Sequence, residues 1–215
     1  MQNQGYIFAK EGHGWVYGGW IAFMVTLPLG KWWLTAPAFL FSLFSMWFFR
    51  NPERTAPKGK DIYVSPADGK VLKIEDKVDE DRYLHKPMKR ICIFMSPFNV
   101  HVNRVPRDGT VVDVIYNRGK YFSANKDKAS LDNEQNAVIV KDEKGRVYMF
   151  VQIAGFIARR IVCYARAGKE ILIGQRVGLI KFGSRLDVYL PLETEITVKT
   201  GQRVKAGETI IGRLK

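Results

Sequence analysis

Apolar residues concentrate in the first quarter of the chain. Residues 15–49 (WVYGGWIAFMVTLPLGKWWLTAPAFLFSLFSMWFF) carry one charged side chain, Lys31, and all five tryptophans. The apolar run at residues 32–49 has 18 residues, close to the roughly 20 that a helix needs to cross a bilayer. The run at residues 15–30 is shorter and is interrupted by glycine and proline. We expect a hydrophobic helical hairpin that turns at Lys31, either a short membrane hairpin or a pair of thin spans, with aromatic residues at the interfaces. A buried core helix is the alternative.

After residue 50 the pattern changes to short runs rich in Val, Ile, Tyr and Phe, separated by Gly, Pro, Asp and Asn. Such runs predict β-strands, and they occupy residues 62–74, 90–96, 109–116, 136–155, 179–191 and 194–214. Residues 142–145 (DEKG) predict a hairpin turn. Residues 159–167 fit a short helix or another strand.

Residues 64–72 and 198–211 share a glycine-containing turn-and-strand pattern that resembles the pieces of barrel-sandwich folds. We therefore predict a mainly β protein with minor α content. Residues 51–215 would form a barrel-sandwich-like β domain, preceded in residues 1–50 by the hydrophobic helical hairpin, which would serve as a membrane anchor.

The charge is strongly positive, with a formal net value of +13. Residues 1–50 hold three basic and one acidic side chain, so residues 51–215 carry 31 basic and 20 acidic ones and a net charge of +11. Beside an anchor, this charge favours anionic lipid over nucleic acid, which we do not expect as a partner. The basic residues after the hairpin (Arg50, Arg54, Lys58, Lys60) place the β domain on the cytoplasmic side of the cell's inner membrane.

Metal and cystine chemistry find little support in the sequence. Cys92 and Cys163 are 71 positions apart, and the histidines at 13, 85 and 101 form no local ligand motif. We expect no bound metal.

The Gly183-Ser184 pair is the candidate for reactive chemistry. Residue 182 is Phe, so the G-x-S-x-G elbow of serine hydrolases is absent. A serine at the edge of a strand can instead attack the preceding glycine carbonyl, provided that a base and an orienting acid activate its hydroxyl. Each candidate residue also has a purely structural interpretation. Ser184 would then be an ordinary strand serine, His101 would be a hydrogen-bonded histidine at a strand edge, and Asp68 would be part of an Asp-Gly turn.

Six separated segments carry a family resemblance. They are residues 48–54 (FFRNPER), 65–70 (SPADGK), 95–104 (MSPFNVHVNR), 133–136 (NEQN), 152–155 (QIAG) and 182–185 (FGSR). In this order they resemble the phosphatidylserine decarboxylase proenzymes of the short, archaeal-type class, and the resemblance covers nearly the whole chain. Phe182 and Arg185 flank the Gly-Ser pair as the short class implies, where the larger bacterial class usually has Leu-Gly-Ser-Thr.

The resemblance implies a catalytic set of Asp68, His101 and Ser184. His101 would take the proton of Ser184, Asp68 would orient the imidazole, and cleavage at Gly183-Ser184 would give a beta chain of residues 1–183 and an alpha chain of residues 184–215. Ser184 would become a pyruvoyl group that forms a Schiff base with the substrate amine and replaces pyridoxal phosphate. His101 would then return a proton after decarboxylation.

The resemblance also implies the partners. The substrate would be an anionic serine phospholipid in the membrane, namely phosphatidylserine or a related lipid. The enzyme would convert it to phosphatidylethanolamine in phospholipid biosynthesis. The alpha and beta chains of one precursor would stay together, and a homo-oligomer is compatible with this arrangement.

Two other classes of protein remain open from the residues alone. One is a membrane-tethered carrier or binding module, whose best support is Lys77 as the modified lysine of a hairpin tip. The other is a non-catalytic homologue. Neither would break between residues 183 and 184.

Overall fold

The computed structural model describes residues 5–59, 61–119, 133–155, 160–181 and 184–214. The chain forms two compact units, Met1–Glu53 and Arg54–Lys215. Each is described on its own below.

The first unit is a helical hairpin. Helices α1 (His13–Thr26) and α2 (Trp32–Phe48) are flanked by single 3-10 turns at Lys10–Gly12 and Leu27–Leu29, and Gly30 closes the connection with a φ of 65°. Small residues bring the helices close together, since a Cβ on Gly19 would lie 3.0 Å from Ser42 Oγ. The helical hairpin that the sequence predicts is confirmed. Within the described residues, neither helix has both the length and the apolar character that a membrane crossing requires.

The second unit is built from antiparallel strands. The described part contains β1 (Ile62–Val64), β2 (Gly69–Glu80), β3 (Lys86–Met95), β4 (Val102–Arg104), β5 (Gly109–Asn117), β6 (Gln135–Lys141), β7 (Val147–Ala154), β8 (Ile161–Cys163), β9 (Glu170–Ile171), β10 (Arg176–Ile180), β11 (Ser184–Leu190), β12 (Thr194–Ile196), β13 (Arg203–Val204) and β14 (Ile210–Leu214).

Three sheets organise these strands. The largest has the order β13-β2-β3-β11-β7-β6-β5-β9 and curls into a half-barrel, while β4-β10-β8 and β1-β14-β12 form smaller sheets. The predicted mainly β fold is thereby confirmed. Strand β11 lies in the middle of the large sheet, and every one of its residues is buried.

Side chains alternate between the two faces of the sheet along β11. Because every residue of β11 is buried, both faces of the sheet are covered at this strand. Leu186, Val188 and Leu190 point into the main core. Tyr189 points to the opposite face and joins a smaller apolar cluster with Met149 and other residues. By this alternation, Ser184 lies on the main-core face and Arg185 on the other.

Local details of the chain agree with their sequence patterns. The turn between β6 and β7 is closed by Gly145 N, which donates to Asp142 O over 3.0 Å, and Gly145 has a φ of 81°. The two similar segments lie side by side, since β13 pairs with the start of β2 and β14 with β1. Residues 161–163 of the ambiguous segment form a strand. Lys77 lies inside β2, so it is not at the hairpin tip that a modified carrier lysine needs.

Candidate active site

Ser184 is the first residue of β11. It pairs with Met95 on β3 and with Ala154 on β7, and it has no exposed surface. Its Oγ has no hydrogen-bond partner among the described residues. A buried hydroxyl without a partner is energetically costly, so this position favours a functional serine over an ordinary one. Gly183, the other half of the predicted cleavage site, lies outside the described residues.

His101 immediately precedes β4 and is 1% exposed. Its Nδ1 lies 2.9 Å from the carbonyl oxygen of Asn99, a residue whose side chain accepts hydrogen bonds from the N–H and Oγ of Ser96. A carbonyl oxygen only accepts, so Nδ1 of the neutral ring carries the proton and Nε2 has the lone pair. The turn at residues 96–99 therefore fixes the tautomer that a general base needs.

Asp68 lies in the turn before β2, where its carboxylate binds Arg54 in a bidentate ion pair. Arg54 Nη1 donates to Oδ1 over 2.5 Å and Nη2 to Oδ2 over 2.9 Å, and the backbone N–H of Ala206 also donates to Oδ1 over 2.8 Å. The side chain of Arg54 is only 8% exposed. Asp68 is thus an anchored anion rather than a loose turn residue.

The three predicted site residues come from segments that meet at one end of the large sheet. The start of β2 and the start of β11 lie on either side of the end of β3. The backbones at Asp68 and Ser184 are therefore separated by two strand spacings, which is roughly 10 Å. The segment that carries His101 reaches the same turn, because Arg104 N donates to Pro66 O over 2.9 Å. The direct pairing of Asp68 with His101 stays a prediction.

Arg54 is a site residue that the sequence pattern did not single out. The sequence grouped it with the basic residues that follow the hairpin, and in the structure its guanidinium is buried in an ion pair with Asp68. Its Nη1 also donates to Ala206 O over 2.8 Å. The only signal in the sequence was its position within the FFRNPER segment, which carries no information about its partner.

The face of β11 opposite Ser184 contains a second buried ion pair. Arg185 donates to Asp187 through Nε over 2.6 Å and Nη2 over 2.9 Å, and neither residue is more than 2% exposed. Cys92 Sγ lies 2.9 Å from Arg185 Nη2. Burial raises the pKa of the Cys92 thiol to about 12, so it remains protonated and is a poor nucleophile.

Comparisons with known proteins identify the family of the chain. The model of the phosphatidylserine decarboxylase family matches residues 41–212. The chain is 45% identical over 213 residues to the phosphatidylserine decarboxylase proenzyme of Syntrophus aciditrophicus, with 99% of each chain covered. It is 45% identical over 222 residues to that of Geobacter metallireducens, covering all of both. The Neisseria gonorrhoeae proenzyme is 41% identical over 97% of this chain and 79% of its own length. The chain therefore belongs to the phosphatidylserine decarboxylase proenzyme family.

Proposed function

We propose that this chain is made as a proenzyme, cleaves itself between Gly183 and Ser184, and then decarboxylates phosphatidylserine to phosphatidylethanolamine. As a member of this family, the chain is a decarboxylase. The observation that carries the proposed site is the buried Ser184 hydroxyl at the start of β11, which lacks a hydrogen-bond partner among the described residues. We further infer that it belongs to the short class, because Phe182 and Arg185 flank the Gly-Ser pair.

Self-cleavage begins with proton transfer from Ser184 to His101. Because Nδ1 is committed to the Asn99 carbonyl, Nε2 is the nitrogen that receives the proton. Ser184 Oγ then bonds to the Gly183 carbonyl carbon, and the peptide C–N bond breaks to leave an ester. Elimination removes the Cα proton of Ser184, breaks its Cβ–Oγ bond and releases residues 1–183 with a free carboxylate. The dehydroalanine left on residue 184 tautomerises to an imine, which takes up water and loses ammonia to become the pyruvoyl group.

Asp68 and Arg54 form a buried ion pair at this end of the sheet. The Asp68 carboxylate stabilises the imidazolium that forms when His101 takes the proton. Arg54 holds that carboxylate in place through two hydrogen bonds. Arg54 is therefore a positioning residue, acting on His101 through Asp68.

The position of Ser184 suits conversion to a pyruvoyl group. The residue is fully buried between two strands, which limits access of water to a reactive carbonyl. When present, a pyruvoyl group supplies an electron sink for the carbanion left by departing carbon dioxide, the task that pyridoxal phosphate performs elsewhere. His101 is the acid that we propose returns a proton to the product.

The hairpin supports action on a lipid that stays in its bilayer. Its outward surface consists of large apolar side chains that are 37–78% exposed within residues 7–47. Its two helices approach through Gly19 and Ser42, and such contacts between small residues are typical of helices in membranes. We propose that residues 1–50 anchor the protein in the cell's inner membrane, with the catalytic unit on the cytoplasmic side and its +11 charge over anionic headgroups.

The test is an intact-mass spectrum of the purified protein beside a Ser184→Ala variant. The expected result is two fragments that meet at Gly183 and Ser184, the smaller one carrying a carbonyl that hydroxylamine traps. The variant should stay at full mass. A folded protein with an unbroken chain in both samples would remove the proposed mechanism.

A further inference from the structure

The strand on one side of Ser184 shows which way its backbone groups point. Ala154 N, on β7, donates to Glu134 O, next to β6, over 2.9 Å, so the N–H and C=O of Ala154 point away from β11. In an antiparallel pair, two residues that lie opposite each other either both point inward or both point outward. Ser184 pairs with Ala154, so its own N–H and C=O point away from β7 and toward β3.

The other side of the sheet leads independently to the same arrangement. Val71 N, on β2, donates to Gln202 O over 2.9 Å, so the backbone groups of Val71 point away from β3. Because this direction alternates along a strand, the backbone groups of Lys70 point toward β3, where they meet Phe94. Phe94 then points toward β2, and the next residue on β3 points toward β11.

That next residue is Met95, which pairs with Ser184. Since the backbone groups of both residues point at each other, the two form a hydrogen-bonded pair, and Met95 N–H donates to the Ser184 carbonyl oxygen. Both residues have no exposed surface, so water does not compete for this oxygen. A hydrogen bond in such surroundings is electrostatically stronger than one in water.

The Ser184 carbonyl lies next to the carbon that reacts in the elimination step. There the Cα proton of Ser184 passes to His101, the proposed base, and the electron pair of the C–H bond spreads onto the carbonyl oxygen. The pair then forms the Cα–Cβ double bond, while the Cβ–Oγ electrons leave with the ester oxygen as the carboxylate of residues 1–183. Between these events the carbonyl oxygen carries negative charge, which a donor already in place stabilises.

The same carbonyl is kept for decarboxylation, because the conversion of Ser184 removes its nitrogen but leaves its bond to Arg185 intact. When the carboxylate of the bound lipid departs as carbon dioxide, the electron pair of the broken bond spreads toward this oxygen. The pair returns to carbon when a proton is added there. One backbone donor therefore serves both reactions.

We propose that the backbone N–H of Met95 is the donor that stabilises negative charge on the carbonyl oxygen of residue 184 in both reactions. The inference rests on the proposed function and deepens it. Met95 gives up no proton in either reaction. Because its N–H is held within the large sheet, it needs no rearrangement as the charge develops. Every amino acid except proline supplies such a group, so a side-chain pattern in the sequence does not indicate it.

The experiment replaces single backbone amides by esters, using cell-free translation of the full chain with an α-hydroxy acid at one position. The methionine analogue at position 95 removes the N–H that faces Ser184. The matched control is the isoleucine analogue at position 93, which removes the N–H of the next hydrogen-bonded pair, Ile93 with Leu186. Each protein loses one hydrogen bond between the same two strands, but only the first loses the bond to residue 184.

Intact mass is then followed over time, with and without hydroxylamine. The ester at position 95 should slow elimination by about 100- to 1,000-fold, so that a full-mass chain accumulates that hydroxylamine splits between residues 183 and 184. The control should be converted to residues 1–183 and 184–215 at the unmodified rate. Once cleaved, the protein with the ester at position 95 should also decarboxylate phosphatidylserine in detergent micelles more slowly than the control.

Urea unfolding in the Ser184→Ala background shows whether each ester protein is folded. If the ester at position 95 prevents folding, NMR of the Ser184→Ala protein with its natural amides decides, through the coupling across the hydrogen bond between the Met95 amide nitrogen and the carbonyl carbon of residue 184. Presence of that coupling supports the assignment and its absence overturns it. Equal elimination rates in the two folded ester proteins also overturn this assignment, and they leave the proposed function intact. Failure of the unmodified chain to cleave overturns both.

Discussion

The carboxylate of Asp68 is held by a guanidinium that has little contact with water. The side chains of Arg54 and Asp68 are 8% and 12% exposed. Removing one partner of a buried ion pair leaves the other charge without compensation, which typically costs about 3–5 kcal/mol. We predict that Arg54→Met lowers the free energy of unfolding by that order, measured by urea denaturation in the Ser184→Ala background, and also slows self-cleavage.

Lys73→Met provides the matched control. Lys73 pairs with Glu75 over 3.0 Å, but its side chain is 46% exposed, and exposed pairs contribute about 0–1 kcal/mol. A similar small loss in Arg54→Met would contradict the anchoring role of Arg54. Arg54→Lys should fall between the two, because lysine keeps the charge but not the bidentate geometry.

The buried Arg185–Asp187 pair should be replaceable by apolar residues, provided that both partners are changed together. Asp187→Leu alone leaves a buried guanidinium without its counter-charge and should lower the free energy of unfolding by about 3–5 kcal/mol. Combining Arg185→Met with Asp187→Leu should restore much of that stability. The double variant should still cleave itself, because both side chains lie on the sheet face opposite Ser184. Urea denaturation and intact mass check the two parts. Loss of cleavage in a stable double variant would show that this pair takes part in the chemistry.

At the residue level, the sequence was most informative where chemistry is local. The Gly-Ser pair indicated Ser184, and the family segments indicated His101 and Asp68. Arg54 was not recognised, although it lies within a quoted segment. Its role depends on partners such as Ala206, which is distant in the chain and adjacent only after folding.

Helices α1 and α2 depend on a close approach at one glycine. A Cβ at Gly19 would lie 3.0 Å from Ser42 Oγ and 3.2 Å from Ser42 Cα, while a Cβ at Gly18 would meet nothing within 4 Å. We predict that Gly19→Leu separates the two helices and that Gly18→Leu leaves them packed. Limited proteolysis of the hairpin in detergent micelles measures this, with faster cleavage expected only for Gly19→Leu. Equal protection of both variants would contradict the small-residue contact.

The start of β1, the segment after β4 and the β6–β7 turn are joined by a charged cluster. Asp61 binds Arg107 and Arg146, and Arg146 also binds Asp142. Hydrogen bonds from these cations, first of all Arg146, lower the pKa of Asp61 below its ordinary value. The pKa of Asp142 is also lowered, because its hydrogen bonds and charge contacts with Arg146 outweigh the effect of burial.

The sign of the pH effect follows from these lowered pKa values. The stabilisation is fully present above the unfolded-state pKa of about 3.9 and is lost as the pH falls toward the lower folded-state values. We predict that stability falls progressively as the pH drops below about 4 toward the lowered folded-state pKa values, and that Asp61→Asn makes this fall shallower. Urea midpoints at several pH values measure it, and an unchanged slope in Asp61→Asn would contradict the role of the cluster.

At the element level, strands were easier to predict than their order. The apolar runs located most strands, and the DEKG turn joined β6 to β7 as expected. The position of β11 between β3 and β7 could not be predicted, because those strands are distant in the chain and their pairing depends on tertiary packing. That order brings Met95 and Ala154 against Ser184, so the site itself depends on long-range pairing.

The whole molecule combines an apolar hairpin with a basic catalytic unit, and under the proposed membrane attachment these two features would make separable contributions to lipid binding. The charge contribution should fall as salt rises, because ions screen attraction to anionic headgroups. The apolar contribution should persist at high salt. Residues 51–215 alone, with a net charge of +11, would dissociate from vesicles at high salt, and residues 1–50 alone would bind neutral and anionic vesicles alike.

Trp32 and Trp33 test the apolar contribution, because they are 77% and 57% exposed on the hairpin. Each large apolar side chain moved out of water contributes about 1.5–3 kcal/mol. We therefore predict that replacing both with Ser weakens binding to vesicles at high salt at least tenfold, measured by co-sedimentation. Leu172→Ser, at a 53% exposed position in the catalytic unit, should bind as the unmodified protein does. Self-cleavage should be complete in all of these variants, because it needs only residues within one chain. If the double tryptophan variant binds vesicles as tightly as the unmodified protein does, the hairpin is not the anchor.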